Sequence, residues 1–376
     1  MARLGDIVKI SSSSKQLDGD KFWLLNLDMV EQQTGAIVDY NYVSGKDLNG
    51  SIIQFDVDTV LYSKLRPNLN KVVLPCMDGF ATSEMLPLKP DISVICKEYL
   101  AAYLRSNSFV TWAVSKTSGA KMPRLGTKEL LDKDIPLPSL NEQHHIAAVL
   151  DKVSDQISLR KQQLAKLDEL VKARFVELFG DTILNPFGWK KDLLGTVCDV
   201  RDGTHDSPQY YESGYPLVTS KNVTGGKIDL TDCSLICEAD FKKINERSKV
   251  DIGDIIMPMI GTVGKPVIVD IEPNFAIKNV SLIKFKADSR VLNTYIRALL
   301  QSDYFDDAVL SKVRGGTQKF ISLGDIRKLE VLVPPMELQE QFATFIKHTD
   351  KSKLAIQQSL DKLETLKRSL MQKYFE

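Results

Sequence analysis

The sequence predicts a mixed α/β (α+β) fold built twice. Two duplicated globular domains are joined by two long antiparallel coiled-coil helices, related by a pseudo-two-fold axis. Three observations predict it. The second half of the chain aligns on the first at a shift of 196 residues. Each half opens with short β-type runs separated by turn clusters. Each half closes on a long stretch whose apolar residues recur at 4-3-4-3 spacing.

The duplication comes first because it sets every boundary. At the shift of 196, Tyr99 meets Tyr295, Leu104 meets Leu300, Phe109 meets Phe305 and Gly119 meets Gly315. Pro138 meets Pro334, Gln143 meets Gln339 and Phe179 meets Phe375. One register holds without a gap for 81 residues, from 99 to 179. Upstream the shift drifts to 195 (Phe80-Ala81 against Phe275-Ala276) and then to 190 (Leu4-Gly5 against Leu194-Gly195). A period this long is a domain duplication, not a solenoid repeat.

The globular domains are expected at 1–139 and 181–335. Thr59-Val60-Leu61-Tyr62, Val267-Ile268-Val269 and Ser281-Leu282-Ile283 read as strands. Asn49-Gly50 and Gly225-Gly226 read as turns. Helical stretches are expected near 97–114 and 290–313.

The helices are expected at 140–180 and 336–376. Residues 140–179 hold no Gly or Pro, and Ser139 with Glu142 forms an S-x-x-E capping box behind Pro138. The first seam is Ile146, Leu150, Val153, Ile157, Arg160, Leu164, Leu167, Val171, Arg174 and Leu178. The same frame in the second repeat is Phe342, Ile346, Thr349, Lys353, Ile356, Leu360, Leu363, Lys367, Leu370 and Tyr374. Two such helices after two copies of one domain are expected to pair with each other. A two-fold axis makes them antiparallel and puts the heads at opposite ends. The seam from Ile146 to Leu178 spans 32 residues. At 1.5 Å per residue that is roughly 48 Å, about one to one and a half DNA turns.

Composition bounds the function. The chain has 376 residues, 49 basic and 49 acidic, so bulk charge does not drive nucleic-acid binding. No run of about 18 apolar residues exists, so no membrane span is expected. The start, Met1-Ala2-Arg3-Leu4-Gly5-Asp6, shows no apolar signal region, and a cytoplasmic location is the expectation. The five cysteines, at 76, 96, 198, 233 and 237, read as reduced, buried thiols.

Several fragments imitate catalytic motifs. Gly261-Thr262-Val263-Gly264-Lys265-Pro266 has two residues between its glycines where a phosphate loop needs four, and Pro stands where Ser or Thr would hold magnesium. Asn185-Pro186-Phe187-Gly188 is similar to a methyltransferase motif but lacks its second proline, and reads as a turn. Cys233 and Cys237 have no second Cys/His pair nearby for zinc, and His144-His145 reads as a solvated helix face. No catalytic residue and no metal ligand is assigned.

Local charge says more than net charge. Asn107 to Lys128 holds no acid but carries Lys116, Lys121, Arg124 and Lys128. Ala308 to Gly324 also holds no acid and carries Lys312, Arg314 and Lys319, with Gln318 beside them. Thr59 to Met77 holds Lys64, Arg66 and Lys71, with Asn68 and Asn70 between. Locally basic loops with Gly and Asn suit phosphate and base-edge contact.

The chain then becomes recognisable. Asp202-Gly203-Thr204-His205 is followed by Gly214-Tyr215-Pro216-Leu217-Val218-Thr219-Ser220-Lys221-Asn222-Val223 and by Gly226-Lys227-Ile228. Gly253-Asp254-Ile255-Ile256 leads to Gly261-Thr262-Val263-Gly264-Lys265, and Arg314-Gly315-Gly316-Thr317-Gln318 precedes the last helix. The first copy shows Leu61-Tyr62-Ser63-Lys64-Leu65-Arg66-Pro67-Asn68-Leu69 and Pro136-Leu137-Pro138-Ser139-Leu140-Asn141-Glu142-Gln143, but no Asp-Gly-Thr-His. Over its whole length the chain resembles the specificity subunit of type I restriction-modification systems.

The resemblance implies a non-catalytic subunit whose two target-recognition domains each read one half of a split double-stranded DNA sequence. It implies that the helices fix the unread gap and dock two modification (methyltransferase) subunits, which restriction (endonuclease/translocase) subunits join. It places S-adenosylmethionine, ATP and magnesium in those partners. The candidate DNA contacts are Lys64, Arg66, Asn68, Lys71, Lys116, Lys121, Arg124, Lys221, Asn222, Lys265, Arg314, Gln318 and Lys319. The residues alone leave two alternatives open: a coiled-coil scaffold with no DNA role, and an enzyme with an unrecognised site.

Overall fold

The structure is a computed structural model that describes residues 1–13, 20–48, 51–260, 263–308 and 320–376. The chain packs as two compact units, 1–162 with 357–376, and 163–356. Each unit therefore takes one globular domain, half of the first long helix and half of the second. The boundaries fall inside the helices, whereas the sequence places them at the helix ends.

The first unit is built on an antiparallel sheet in the order Val8–Ile10, Met85–Pro90, Val60–Ser63, Val72–Val73. A second sheet runs Tyr42–Ser44, Lys21–Leu25, Gly79–Thr82, Ile52–Phe55, with Lys21–Leu25 and Gly79–Thr82 parallel. The second unit repeats this plan. Its antiparallel sheet runs Asp199–Asp202, Val280–Lys284, Ile255–Pro258, Val267–Ile268. Its other sheet holds Ser234–Ile236, Tyr215–Val218 and Ala276–Ile277, the last two parallel. The runs read as strands are thus strands. The helical stretch expected near 97–114 is two helices, Lys97–Leu104 and Asn107–Ser115. Ser106 breaks it: its hydroxyl accepts from the Phe109 N–H and caps the second helix.

Two local features differ between the units. In the second, Gly225-Gly226 turns the hairpin of Val223–Thr224 and Lys227–Ile228. Both glycines have positive φ (60° and 77°), as a two-residue hairpin turn with the right twist requires. Among the described residues, the second unit carries a helix, Glu238–Ser248, next to its Ser234–Ile236 strand, where the first has the short turn Gly45–Asp47 after Tyr42–Ser44. Of the cysteines, Cys96 and Cys198 are buried as expected, and burial pushes the Cys198 thiol up to about 12; Cys76 is exposed, contrary to expectation.

The long helices run Leu140–Phe179 and Met336–Phe375. The capping box forms: the Ser139 N–H and hydroxyl both donate to the Glu142 carboxylate, at 2.9 and 2.7 Å. In the first unit, Ile146 and Leu150 share a core with Leu370, Met371, Tyr374 and Phe375. The start of one helix therefore lies along the end of the other, which is antiparallel pairing. In the second unit, Val171, Phe175, Leu178 and Phe179 meet Leu338, Phe342 and Ile346 in the same sense. All the 4-3-4-3 positions of both helices, including Val153, Ile157, Leu164, Leu167, Ile356, Leu360 and Leu363, are buried or half-buried. Leu170 and Leu366, outside that frame, are exposed.

Two buried glutamines join each helix start to its own domain. Gln143 accepts from the Cys96 N–H (3.0 Å) and donates to the Val94 and Pro138 carbonyls, both at 2.9 Å. Gln339 accepts from the Leu292 N–H (2.8 Å) and donates to the Arg290 and Pro334 carbonyls (3.0 and 2.9 Å). Every partner is displaced by the same 196 residues. Both glutamines are fully buried, so each bond lost strands a polar group at about 1–3 kcal/mol.

Candidate nucleic-acid interface

In the first domain the fold brings two distant acid-free segments together. The Leu125 N–H donates to the Lys64 carbonyl (2.9 Å), and the Arg66 N–H donates to the Pro123 carbonyl (2.8 Å). A bridge pairs Leu65 with Arg124. The acid-free stretch 107–128 closes as a hairpin of Thr117–Ser118 and Arg124–Leu125. Lys121 is exposed at its tip, and Lys116 is exposed at the end of the preceding helix. Arg66 and Asn68 are exposed beside that hairpin's base, and Lys64 is half-buried. Arg66 and Asn70 adopt left-handed backbone (φ 49° and 52°), which turns the segment sharply around Pro67–Leu69. Asn70 is buried, with its amide on the Arg105 carbonyl, so Asn68 is the outward-facing asparagine of the pair.

Two candidates of this group are engaged inside the fold. The Lys71 ammonium donates to the Leu27 carbonyl, and burial lowers its pKa. Arg124 forks onto Glu84, with Nη2 at 2.9 Å from Oε1. That hydrogen-bonded guanidinium holds the Glu84 carboxyl below the usual carboxylate range and offsets its charge beside Lys64.

The second domain uses the same joint. Ile260 bridges Phe320, and the Ile321 N–H donates to the Met259 carbonyl at 2.9 Å. These pairs are the shifted counterparts of Leu65–Arg124 and Leu125–Lys64. Arg314, Gln318 and Lys319 lie outside the described residues, but the chain re-enters at Phe320 on this joint. Lys265 is exposed before strand Val267–Ile268. Lys221 is exposed on the turn Ser220–Asn222. Asn222 itself is buried: its Oδ1 accepts from the Thr219 N–H and hydroxyl, and its Nδ2 donates to the Asp232 carbonyl. It shapes the turn that presents Lys221. Lys221 also lines a groove of about 740 Å³ with Tyr210, Thr219, Ile260, Lys278 and Asn279.

Asp202-Gly203-Thr204-His205 is legible in the sequence as a motif, but its role comes from the structure. The buried Asp202 carboxylate accepts from Arg247 on one oxygen and from His205 Nε2 on the other (2.9 Å). His205 Nδ1 lies 2.9 Å from Asn279 Oδ1. The hydrogen bonds to Asn279 and Asp202 raise the His205 pKa. Gly203 passes so close to the Ile277 carbonyl that a Cβ would collide with it. The motif's spacing was visible; its partners Arg247 and Asn279, 45 and 74 residues away, were not.

Comparison with known proteins decides the family. A domain described as "Type I restriction modification DNA specificity domain" matches residues 2–169 and again 186–368. The chain belongs to that family. It is 25% identical over 410 residues to the type I restriction enzyme MjaIX specificity subunit of Methanocaldococcus jannaschii, covering 98% of this chain and 90% of that protein. It is 26% identical over 185 residues to the EcoDI specificity subunit of Escherichia coli, covering 47% of this chain and 40% of that one. Among solved structures, the S subunit from M. genitalium superposes with TM-score 0.61 at 15% identity, covering 100% of this chain and 95% of that one. A chain of a type I R-M system solved for its complex assembly and conformational transition gives TM-score 0.58 at 19% identity, covering 99% and 96%. This specificity subunit recognises DNA and carries no catalysis of its own. No helix among its described residues is long and apolar enough to cross a membrane.

One consequence concerns the acid-free segment that precedes Phe320 in the sequence. Alanine at Arg314, Gln318 and Lys319 together is expected to weaken DNA binding. A base contact is worth about 1–3 kcal/mol of discrimination, while a phosphate contact weakens all sequences alike and lowers the salt slope. Titrations at several salt concentrations separate the two. Unchanged affinity, specificity and slope would place the contacts elsewhere.

Proposed function

We propose that each globular domain reads one half of a bipartite double-stranded DNA target, and that the paired helices fix the unread gap and dock two modification (methyltransferase) subunits. Restriction (endonuclease/translocase) subunits complete the complex. S-adenosylmethionine, ATP and magnesium serve those partners, and the assembly works in the cytoplasm. The observation that carries this reading is the repeated joint, Leu65–Arg124 and Ile260–Phe320, which lies at the end of a basic, acid-free stretch of sequence in each domain. Zero net charge fits, because partner subunits can supply much of the phosphate grip.

The purified chain is expected neither to methylate nor to cut DNA. Adding the modification subunit and S-adenosylmethionine should produce methylation at a two-part site, and methylome sequencing of a host expressing both would give its sequence. Methyl transfer by the chain alone, or methylation at a single undivided site, would overturn the reading.

A further inference from the structure

The Asp202-Gly203-Thr204-His205 turn separates two openings in the second domain. On one side His205 lines a cleft with Thr204, Ser207, Lys243 and Arg247. On the other, Asn279 lines the groove that holds Lys221, Lys278 and Tyr210. His205 and Asn279 touch across the turn at 2.9 Å.

We propose that Asn279 is a specificity-determining residue of the second domain, and that His205 is the positioning residue that sets which edge of the Asn279 amide faces the groove. This rests on the DNA-reading role proposed above.

The argument is one of donors and acceptors. Nε2 of His205 faces the Asp202 carboxylate, and Nδ1 faces the Asn279 amide oxygen, both at 2.9 Å. A ring with an oxygen acceptor on each side donates from both nitrogens, which makes it an imidazolium. Asp202 is itself fixed, being buried and held by Arg247 on its other oxygen. With its oxygen spent on His205, Asn279 has its two amide N–H donors left, and they have no partner among the described residues. The Asn279 backbone is pinned too: its N–H donates to the Thr204 carbonyl, and its φ is 56°. A half-buried amide with free donors, between Lys278 and Lys221, suits an acceptor edge such as purine N7 or guanine O6.

Loss of the proton inverts the arrangement. Asp202 keeps the ring's remaining N–H on Nε2, so Nδ1 becomes an acceptor. It then repels the Asn279 oxygen and draws the amide nitrogen, and the amide turns over. The groove now sees a carbonyl oxygen instead of N–H donors. The groups facing His205 are Asp202, Arg247, Lys243 and Asp240, with Asp206 beside it and Lys278 bonded to Ser207. The hydrogen bonds to Asn279 and Asp202 and the Asp202 charge favour the imidazolium; burial and Arg247 oppose it, and the net shift is upward. The donor edge is therefore presented below the raised pKa. It is lost as pH climbs above the ordinary histidine range, about 6.5.

The test uses the chain assembled with its modification subunits, on duplexes carrying the target found by methylome sequencing. Each base pair of both half-sites is varied in turn, and binding is measured from pH 6 to pH 9. Discrimination at one position of the second half-site is expected to fall roughly 5- to 150-fold as pH rises, the span of a single bidentate contact. Asn279→Ala and the isosteric Asn279→Asp should lose that discrimination already at pH 6. His205→Gln, which cannot become an imidazolium, should abolish the pH dependence at that position. Retained discrimination at the other positions of the second half-site reports that the second domain of each variant is folded. Full second-half-site discrimination in either Asn279 variant, or a wild-type pH profile in His205→Gln, would overturn the proposal. A wild-type complex with no sequence preference at any pH would overturn the DNA-reading role itself.

Discussion

Phe179→Ala is expected to destabilise the second unit by about 3–5 kcal/mol, the range for emptying a large buried aromatic site. Phe179 is fully buried at the end of the first long helix. Its ring meets Tyr295 at 4.8 Å, Phe175 at 5.0 Å and Phe342 at 5.5 Å. Tyr295 is itself anchored, donating its hydroxyl to the Leu332 carbonyl at 2.9 Å. A cavity there cannot collapse easily, because its walls are fixed by these bonds and by the sheet behind them. Phe375 holds the matching place in the first unit, 5.5 Å from Tyr99 and 5.7 Å from Tyr103. Tyr99 likewise donates to the Pro136 carbonyl, at 3.0 Å. Phe375→Ala should therefore cost a similar amount. In a unit of this size that corresponds to roughly 6–20 °C of melting temperature, readable by calorimetry. A loss under about 1 kcal/mol in both variants would show that the helix ends do not secure the domains they reach.

Exchanging residues 1–139 for the corresponding domain of another family member is expected to replace one half of the DNA target and leave the gap and the other half unchanged. The duplication motivates this, and the packing adds a condition. Domain residues Cys96 and Val94 bond Gln143 at the start of the first helix, while Tyr99 and Tyr103 receive Phe375 from the end of the second. A donor domain must supply these four contacts, or the graft will unfold before it can misread. Methylome sequencing of the hybrid with its modification subunit gives the result directly. New bases in both half-sites would contradict independent reading.

The sequence by itself determined the duplication, the two 40-residue helices and their seam. These are local or periodic signals. A heptad frame, a capping box and a shift of 196 residues can be read along one line of text, because helices bond between neighbours in sequence. The acid-free basic stretches were also legible, since they depend on composition alone. Which of their residues face outward was not. Lys71 and Arg124 look like free cations in the sequence, yet one caps a carbonyl and the other neutralises Glu84, 40 residues away. Asn222 looks like a base reader and is a buried turn former. Asp202-Gly203-Thr204-His205 looks like a family signature with no stated task. Only the tertiary structure set His205 between Asp202 and Asn279 and brought Arg247 to Asp202 from the helix Glu238–Ser248. The physical reason is the range of the interactions. Sheet register and side-chain hydrogen bonds join positions tens of residues apart, and a polar side chain's role depends on which partner the packing puts within about 3 Å of it.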